Sequence, residues 1–364
     1  VPTTATHEYA KKHAQLVELI RSRDGQYLLL STPASLAWLL GGARTHVSLA
    51  APPIARVLVH AQGCELATSV SEAARIQREE LGNVEQVSVH VTAWYQDLDN
   101  VREWFPAASG QKILSEREIE SDLRALRSAL NETEINRYRA LCRDTAALMT
   151  QVLSAARSDD SEFDVAAKLT AGAVVQGGEV LVALVSGDSR AAARHPLPTA
   201  APLGGKAMAV LCVRRHGLIA NITRWVRFGA PTPQELSGED DILAVEADIL
   251  AAIRPGGVLG ELLPVIQESY PEHGFDAGEW SLHHQGGIAG YNGRDPRLTP
   301  GATDLFQLNQ AFAFNPSAAR DGLAFKVEDT MLLTESGDFE VLTFDPLWPS
   351  NLVNGLPRPA VLQR

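Results

Sequence analysis

The stretch LAFKVEDTMLLTESGDFEVLTF, residues 323–344, reads as strands joined at Ser336-Gly337-Asp338, a hairpin turn signal between apolar runs. It carries one carboxylate, Glu328, behind an apolar strand, where an ionised group needs a partner. Further strands precede it: VLVALVSG (180–187), AMAVLCV (207–213), LIANITRWVRFG (218–229) and LFQLNQAFAFNPS (305–317). Ahead of these lie long helices. Ile119, Leu123, Leu126 and Leu130 recur at helical spacing. Asn131, with Glu134 behind it, forms a capping box for a second helix whose stripe is Ile135, Tyr138, Leu141, Leu148 and Val152. Residues 162–176 and 233–254 also read as helices, the latter ending at Arg254-Pro255-Gly256-Gly257. Long helices followed by runs of adjacent strands argue for an α+β fold, with helices packed on one face of a curved antiparallel sheet.

The first hundred residues are different. A helix over 8–22 is followed by strands at 26–31, 55–61, 64–70 and 84–91, with a helix at 70–81 between the last two. This is a small α/β unit, with Trp38 and Trp94 expected in its core. The polar stretch PAASGQKILSERE (106–118) marks a boundary, so two domains are expected, 1–115 and 116–364. The 364 residues are 45% hydrophobic and 21% charged, which excludes global disorder. The formal net charge of −12 disfavours a nucleic-acid-binding surface. No apolar run approaches the roughly 20 residues of a membrane span, and VPTTATHEYAKKH has no signal core, so a cytoplasmic protein without a membrane partner is expected. Cys64, Cys142 and Cys212 stand far apart and form no thiolate zinc pattern.

Five polar segments interrupt the apolar strands of the second half. They are Ser186-Gly187-Asp188 through His195; Arg215-His216-Gly217 with Asn221-Ile222-Thr223-Arg224; His283-His284-Gln285-Gly286-Gly287 through Tyr291 and Arg294; Phe314-Asn315-Pro316; and Lys326-Val327-Glu328-Asp329-Thr330. In this order they resemble the creatinase, prolidase and methionine aminopeptidase superfamily, and within it a group labelled Xaa-Pro aminopeptidase-like. SLAWLLGG (35–42) and SEAARIQREE (71–80) resemble phrases of its creatinase-type N-terminal domain. The resemblance implies a pita-bread C-terminal domain behind a smaller α/β domain. It also implies a homodimer, in which His46 of one subunit reaches a neighbouring pocket.

The metallopeptidases of that superfamily hold two divalent ions with Asp, Asp, His, Glu and Glu, whose negative charge offsets that of the ions. The resemblance places these ligands near Val210–Cys212, at Asn221, at His284, at Asn315 and at Glu328, so one His and one Glu remain. No dinuclear metal centre and no other cofactor is therefore expected. Creatinase supplies the precedent for a metal-free member that hydrolyses a C–N bond with His as general acid and base. On that reading His284 moves the proton and Glu328 assists it. Asn221, Asn315, His216, His195, His283, Tyr291, Arg224 and Arg294 are the candidates to bind substrate. Gly286 and Gly287 allow close backbone approach to a ligand. The expected substrate is a small amide, amidine or amino-acid-derived molecule, or a short peptide. Two other readings stay open: a metal-dependent Xaa-Pro dipeptidase or aminopeptidase, and a pita-bread binding protein without turnover. Several residues also have a structural reading: satisfied structural histidine for His195 and His216, packed aromatic for Tyr291, loop ion pair with Asp295 for Arg294, salt bridge to Arg224 or Lys326 for Glu328, and, against a nucleophile, buried hydrophobe for Cys212.

Overall fold

The computed structural model describes residues 4–82 and 86–364. The chain divides into two compact units. The first takes the chain up to Arg127 together with His216–Leu218, and the second takes Ser128–Arg215 and Ile219–Arg364.

The first unit runs α1 (Thr4–Ser22), β1 (Tyr27–Leu30), α2 (Pro33–Leu39), β2 (Ala55–His60), β3 (Gly63–Ser69), α3 (Ala73–Arg75, continued by a π-helical turn over Ile76–Glu80), β4 (Val87–Thr92), α4 (Val101–Trp104), β5 (Ile113–Ser115) and α5 (Glu120–Ser128). The strands form one sheet in the order β4-β3-β2-β1-β5. The strand expected over 84–91 is seen from Val87 on, and residues 84–85 lie outside the described residues. Three elements of this unit escape the sequence reading, α2, the single turn α4 and β5. Pro33 opens α2 behind the N-cap Thr32, and the helix buries Trp38. Strand β5 lies within the polar boundary stretch and pairs parallel with β1. Gly42 at the end of SLAWLLGG has φ +100, and a Cβ there would meet the His216 backbone at 2.7 Å, so glycine is required. Trp94 corrects an expectation. It is 74% exposed in the loop after β4, edge-on to Tyr95, because the chain has already left the sheet at Thr92.

The second unit opens with α6 (Glu132–Ser154), whose capping box forms as the spacing predicts: the Glu134 N–H donates to Asn131 Oδ1 at 3.0 Å, and the Asn131 N–H donates to Glu134 Oε2 at 2.8 Å. Next come α7 (Glu162–Val175), β6 (Glu179–Ser186), β7 (Lys206–Arg215), β8 (Leu218–Arg227), α8 (Pro233–Ala252), α9 (Leu262–Glu272), β9 (Gly286–Ala289), β10 (Gln310–Phe314), β11 (Ser317–Arg320) and β12 (Leu323–Lys326). The remaining strands are β13 (Met331–Leu333), β14 (Phe339–Val341), β15 (Ser350–Val353), β16 (Leu356–Pro359) and β17 (Leu362–Gln363). They pair as β14-β13-β10-β9, β17-β8-β7-β6, β11-β12 and β15-β16 rather than as one continuous sheet. Proline explains one break: the strand expected over 305–317 spans only Gln310–Phe314, because Pro316 has no N–H for a ladder, and the chain re-pairs from Ser317.

Helices α8 and α9 bury Ile242, Ile249, Ile266 and Tyr270 against Phe312, Phe314 and Phe325. Each such large apolar side chain contributes about 1.5–3 kcal/mol through burial. That core fixes the backs of β10 and β12, whose ends carry Asn315 and Lys326. Among the described residues no helix is long and apolar enough to cross a membrane.

Candidate active site

The dipeptide His283-His284 is set immediately before β9, and the two glycines that follow explain its placement. Gly286 (φ +106) lies so close to β10 that a Cβ would stand 2.3 Å from the Ala313 carbonyl oxygen. A Cβ on Gly287 (φ +151) would stand 2.3 Å from that of Pro296. The glycines therefore admit neighbouring protein backbone, which is a different use from the ligand approach expected of them. Gln285 locks the dipeptide from behind. Its amide donates to the carbonyls of His283 and Trp280, each at 2.8 Å, and accepts from the Tyr270 hydroxyl at 2.8 Å.

His195 arrives on the loop after β6. The buried Glu162 carboxylate holds that loop by accepting from the backbone N–H of Gly187 (2.9 Å) and Thr199 (2.8 Å) and by pairing with Arg190. Arg194, beside His195, donates to Ser317 Oγ at 3.1 Å and pairs with Glu279. The exposed His195 thereby meets the buried His283 with 3.0 Å between their Nε2 atoms. His284 stacks on His283 at 4.4 Å between ring centroids. One ring nitrogen from each of the three lies within 4.8 Å of the others. Burial, with Lys326 beside it, pushes the His283 pKa down to about 2. Burial, with Arg294 and Arg297, pushes that of His284 down to about 4. His195 is lowered for the same first reason, then by Lys326. At neutral pH the cluster is uncharged, and Nδ1 of both His283 and His284 is buried without a hydrogen-bond partner.

Glu328 follows β12 and bridges to β8. Its Oε2 accepts from Thr223 Oγ1 at 2.7 Å, and its Oε1 pairs with Arg294 Nη2 at 2.6 Å. Burial pushes this carboxyl up, but Arg294, Lys326 and the Thr223 hydroxyl outweigh it and hold the pKa below the usual range. Among the described residues no hydrogen bond joins Glu328 to His284, so the carboxylate acts on the imidazole through space. Arg294 pairs with Glu328, and its Nε is buried without a partner.

The other candidates divide. Asn315 lies 3% exposed at the end of β10, its Oδ1 unpartnered. Asn221 is 1% exposed and donates its amide to the Ile219 carbonyl at 3.1 Å. Tyr291 turns its hydroxyl onto Glu134 at 2.7 Å. Arg224 is occupied by Asp329 (2.8 Å) and the carbonyls of Thr223 and Thr343. His216 stands in the β7–β8 turn with φ +51 and belongs to the first unit. The structure thus brings together His195, His283, His284, Asn315, Glu328 and Arg294. Burial pushes the Cys212 thiol up to about 12, which keeps it protonated and unfit as a nucleophile.

Sequence reasoning missed Lys326 and Glu134. Lys326 had a signal: in a strand, residues two apart share a face, so Lys326 and Glu328 belong together. Glu134 was recognised only as a cap, and nothing local announces its bond to Tyr291.

The donor set does not fit a pair of divalent ions. Of the five positions that would hold them, Asn221 and Asn315 are neutral, the Val210–Cys212 segment has no carboxylate, and Glu328 has both oxygens engaged. Arg294 and Lys326 already place fixed positive charge beside it. His284 instead groups with His195 and His283, three imidazoles suited to one borderline-soft ion.

The model of metallopeptidase family M24 matches residues 136–335. An uncharacterized peptidase of Staphylococcus saprophyticus is 28% identical over 123 residues, and the match spans 33% of this chain and 34% of that protein. Dipeptidase PepE from Mycobacterium ulcerans superposes with a TM-score of 0.76 at 16% identity, covering 100% of both chains. Xaa-Pro dipeptidase from Bacillus anthracis gives a TM-score of 0.73 at 16% identity, over 98% of this chain and 100% of that one. At such identities the likeness is one of fold.

Proposed function

The chain belongs to metallopeptidase family M24, and from that premise we propose that it hydrolyses a C–N bond in a short peptide or small amino-acid-derived amide or amidine without a dinuclear metal centre. One observation carries this reading: Glu328, the carboxylate left at the family's ligand positions, is bound to Arg294 at 2.6 Å and Thr223 at 2.7 Å. A carboxylate already neutralised by a guanidinium has little charge to offer a cation.

The chemistry then falls to the histidines. Neutral His284, with its Nδ1 unpartnered, accepts a proton from water as the water oxygen adds to the scissile carbon. The carbonyl π pair moves to oxygen, giving an oxyanion that the cationic wall of the pocket stabilises. Collapse restores the carbonyl and breaks the C–N bond, and the proton passes from His284 to the departing nitrogen. One water is consumed, and a carboxylic acid and an amine are released. His195, in contact with His283 at 3.0 Å, connects that buried imidazole to solvent for proton exchange. Asn315 Oδ1 offers an acceptor to a substrate N–H.

The test is hydrolysis of a panel of Xaa-Pro dipeptides and simple amino-acid amides by purified protein, before and after exhaustive chelation, with metal content measured. The expected result is turnover that survives chelation and is lost in His284→Ala. Near-stoichiometric Mn, Co or Zn whose removal abolishes turnover sinks the reading.

A second reading has its own support. His195, His283 and His284 offer nitrogens within 4.8 Å of one another, and the structural neighbours bear dipeptidase names. On this reading the chain is a metal-dependent Xaa-Pro dipeptidase that uses a single ion on imidazoles. Metal-stimulated cleavage of Xaa-Pro dipeptides, abolished by His283→Ala, would select it over the first.

A further inference from the structure

Lys326 ends β12 at 7% exposure, opposite Ser317 across the β11–β12 ladder. Its ammonium has no ion pair within 4.0 Å and no hydrogen bond among the described residues. Two other cations of this wall are matched, Arg294 to Glu328 and Arg194 to Glu279, and Arg297 is exposed. Burial lowers the Lys326 pKa; Glu328, already claimed by Arg294, opposes this, and the repulsion of Arg294 and Arg194 adds to it. Ser317, its partner across the ladder, accepts from Arg194, the residue beside His195, at 3.1 Å, and Lys326 stands two residues before Glu328, so it shares a wall with both; its charge lowers the basicity of His283, His195 and His284. A buried ammonium without a counter-charge is costly, and its cost is relieved when an anion enters.

We propose that the Lys326 ammonium is the fixed electrophile of this site, binding the oxyanion that forms on the scissile carbonyl where a metallopeptidase would use its metal. This rests on the hydrolase reading above and deepens it. In the proposed step Lys326 acts as the ammonium and transfers no proton: it receives no atoms and stabilises charge that exists only once water has added to the carbon. A preorganised cation aimed at charge that develops in the transition state is the strongest single device available to such a site. A neutral His284 and a cationic Lys326 are also complementary, one taking the proton and the other holding the negative charge it leaves behind.

The experiment has two arms. Lys326→Met keeps length and apolar bulk, and Lys326→Arg keeps the charge; both are checked for native thermal unfolding. In the first arm, inorganic phosphate, a tetrahedral oxyanion, is titrated calorimetrically into the full chain. Binding to wild type and to Lys326→Arg, weakened at least about tenfold in Lys326→Met, supports the proposal. Equal binding by wild type and Lys326→Met, or no binding by either, overturns it. The second arm uses any substrate found in the panel. Lys326→Met is expected to lower kcat about 10²–10³-fold with KM little changed, and Lys326→Arg to recover part of it. A rise in KM at constant kcat overturns the proposal. If the panel yields no substrate, the hydrolase reading fails, while the phosphate arm still decides whether Lys326 is an oxyanion site.

Discussion

Arg294 and Glu328 form an ion pair 2.6 Å apart with both side chains buried, 8% and 3% exposed. The guanidinium stands against the carboxylate that the family resemblance places among the ligand positions. Such a pair is weak as a source of stability but expensive to break on one side. Arg294→Met, which strands Glu328, is expected to cost about 3–5 kcal/mol in urea unfolding. Adding Glu328→Met to it removes the stranded charge and is expected to recover more than half of that loss, with activity absent. A double variant no more stable than Arg294→Met would show that the pair is not the unit described here.

The imidazole cluster makes stability depend on pH in a definite direction. An unfolded histidine takes up its proton near pH 6.5, whereas His284 and His283 are held to about 4 and about 2 in the folded protein. Between pH 6.5 and 4 the unfolded state binds more protons, so stability falls as pH falls through that window and is complete above it. Each histidine contributes about 2 kcal/mol between pH 7.5 and 5 before solvent screening of the partly exposed His284, so a loss on the order of 2–4 kcal/mol is expected, read as a drop in urea midpoint. His284→Asn should show a shallower dependence. Equal slopes for wild type and variant would show that the buried imidazoles are not responsible.

Tyr291 donates to Glu134 at 2.7 Å, with both residues buried. The family resemblance invited a substrate-binding phenol at Tyr291, but the hydroxyl is committed to Glu134 in the first turn of α6. Tyr291→Phe is expected to cost about 1–2 kcal/mol of stability while leaving KM within about twofold. A large rise in KM with stability unchanged would restore the substrate role.

Much of this was legible because it is periodic or short-range. The Asn131–Glu134 capping box and the SGD hairpin each depend on residues within a turn of one another, so local spacing suffices. That Asn221 and Asn315 stand where the family resemblance puts carboxylates is a reading of the sequence alone. The partner of Glu328 was not visible in it. Which cation would claim Glu328 depends on a contact between residues 34 apart, and the sequence reading named Arg224 or Lys326 where the structure has Arg294. Gly286 and Gly287 were recognised as permissive positions. What approaches them, the backbone of Ala313 and Pro296, is set by strand register that no single segment encodes. Trp94 was misjudged because aromatic character alone does not tell a core strand from the loop that leaves it.

The position of Glu328 depends in turn on its neighbour Asp329, which sits in a fully buried network. Arg224 reaches Asp329 Oδ1 at 2.8 Å, Arg358 reaches its Oδ2 at 3.0 Å, and Arg358 also grips Glu246 through two bonds of 2.7 Å. Arg358 therefore ties β16 and α8 to the residue beside the site. Burial already raises the Glu246 pKa, and Arg358 is the first of the groups that oppose it. In Arg358→Met, Glu246 and Asp329 lose that opposing charge, so a carboxylate must take up a proton to stay buried. The variant is expected to lose about 3–5 kcal/mol at pH 7.5. Because protonation relieves the stranded charge, the difference between variant and wild type should shrink at pH 5.5. Urea unfolding of both proteins at the two pH values measures this. A loss below about 1 kcal/mol, or a difference that is the same at both pH values, would mean that Arg358 does not hold the network as its geometry indicates.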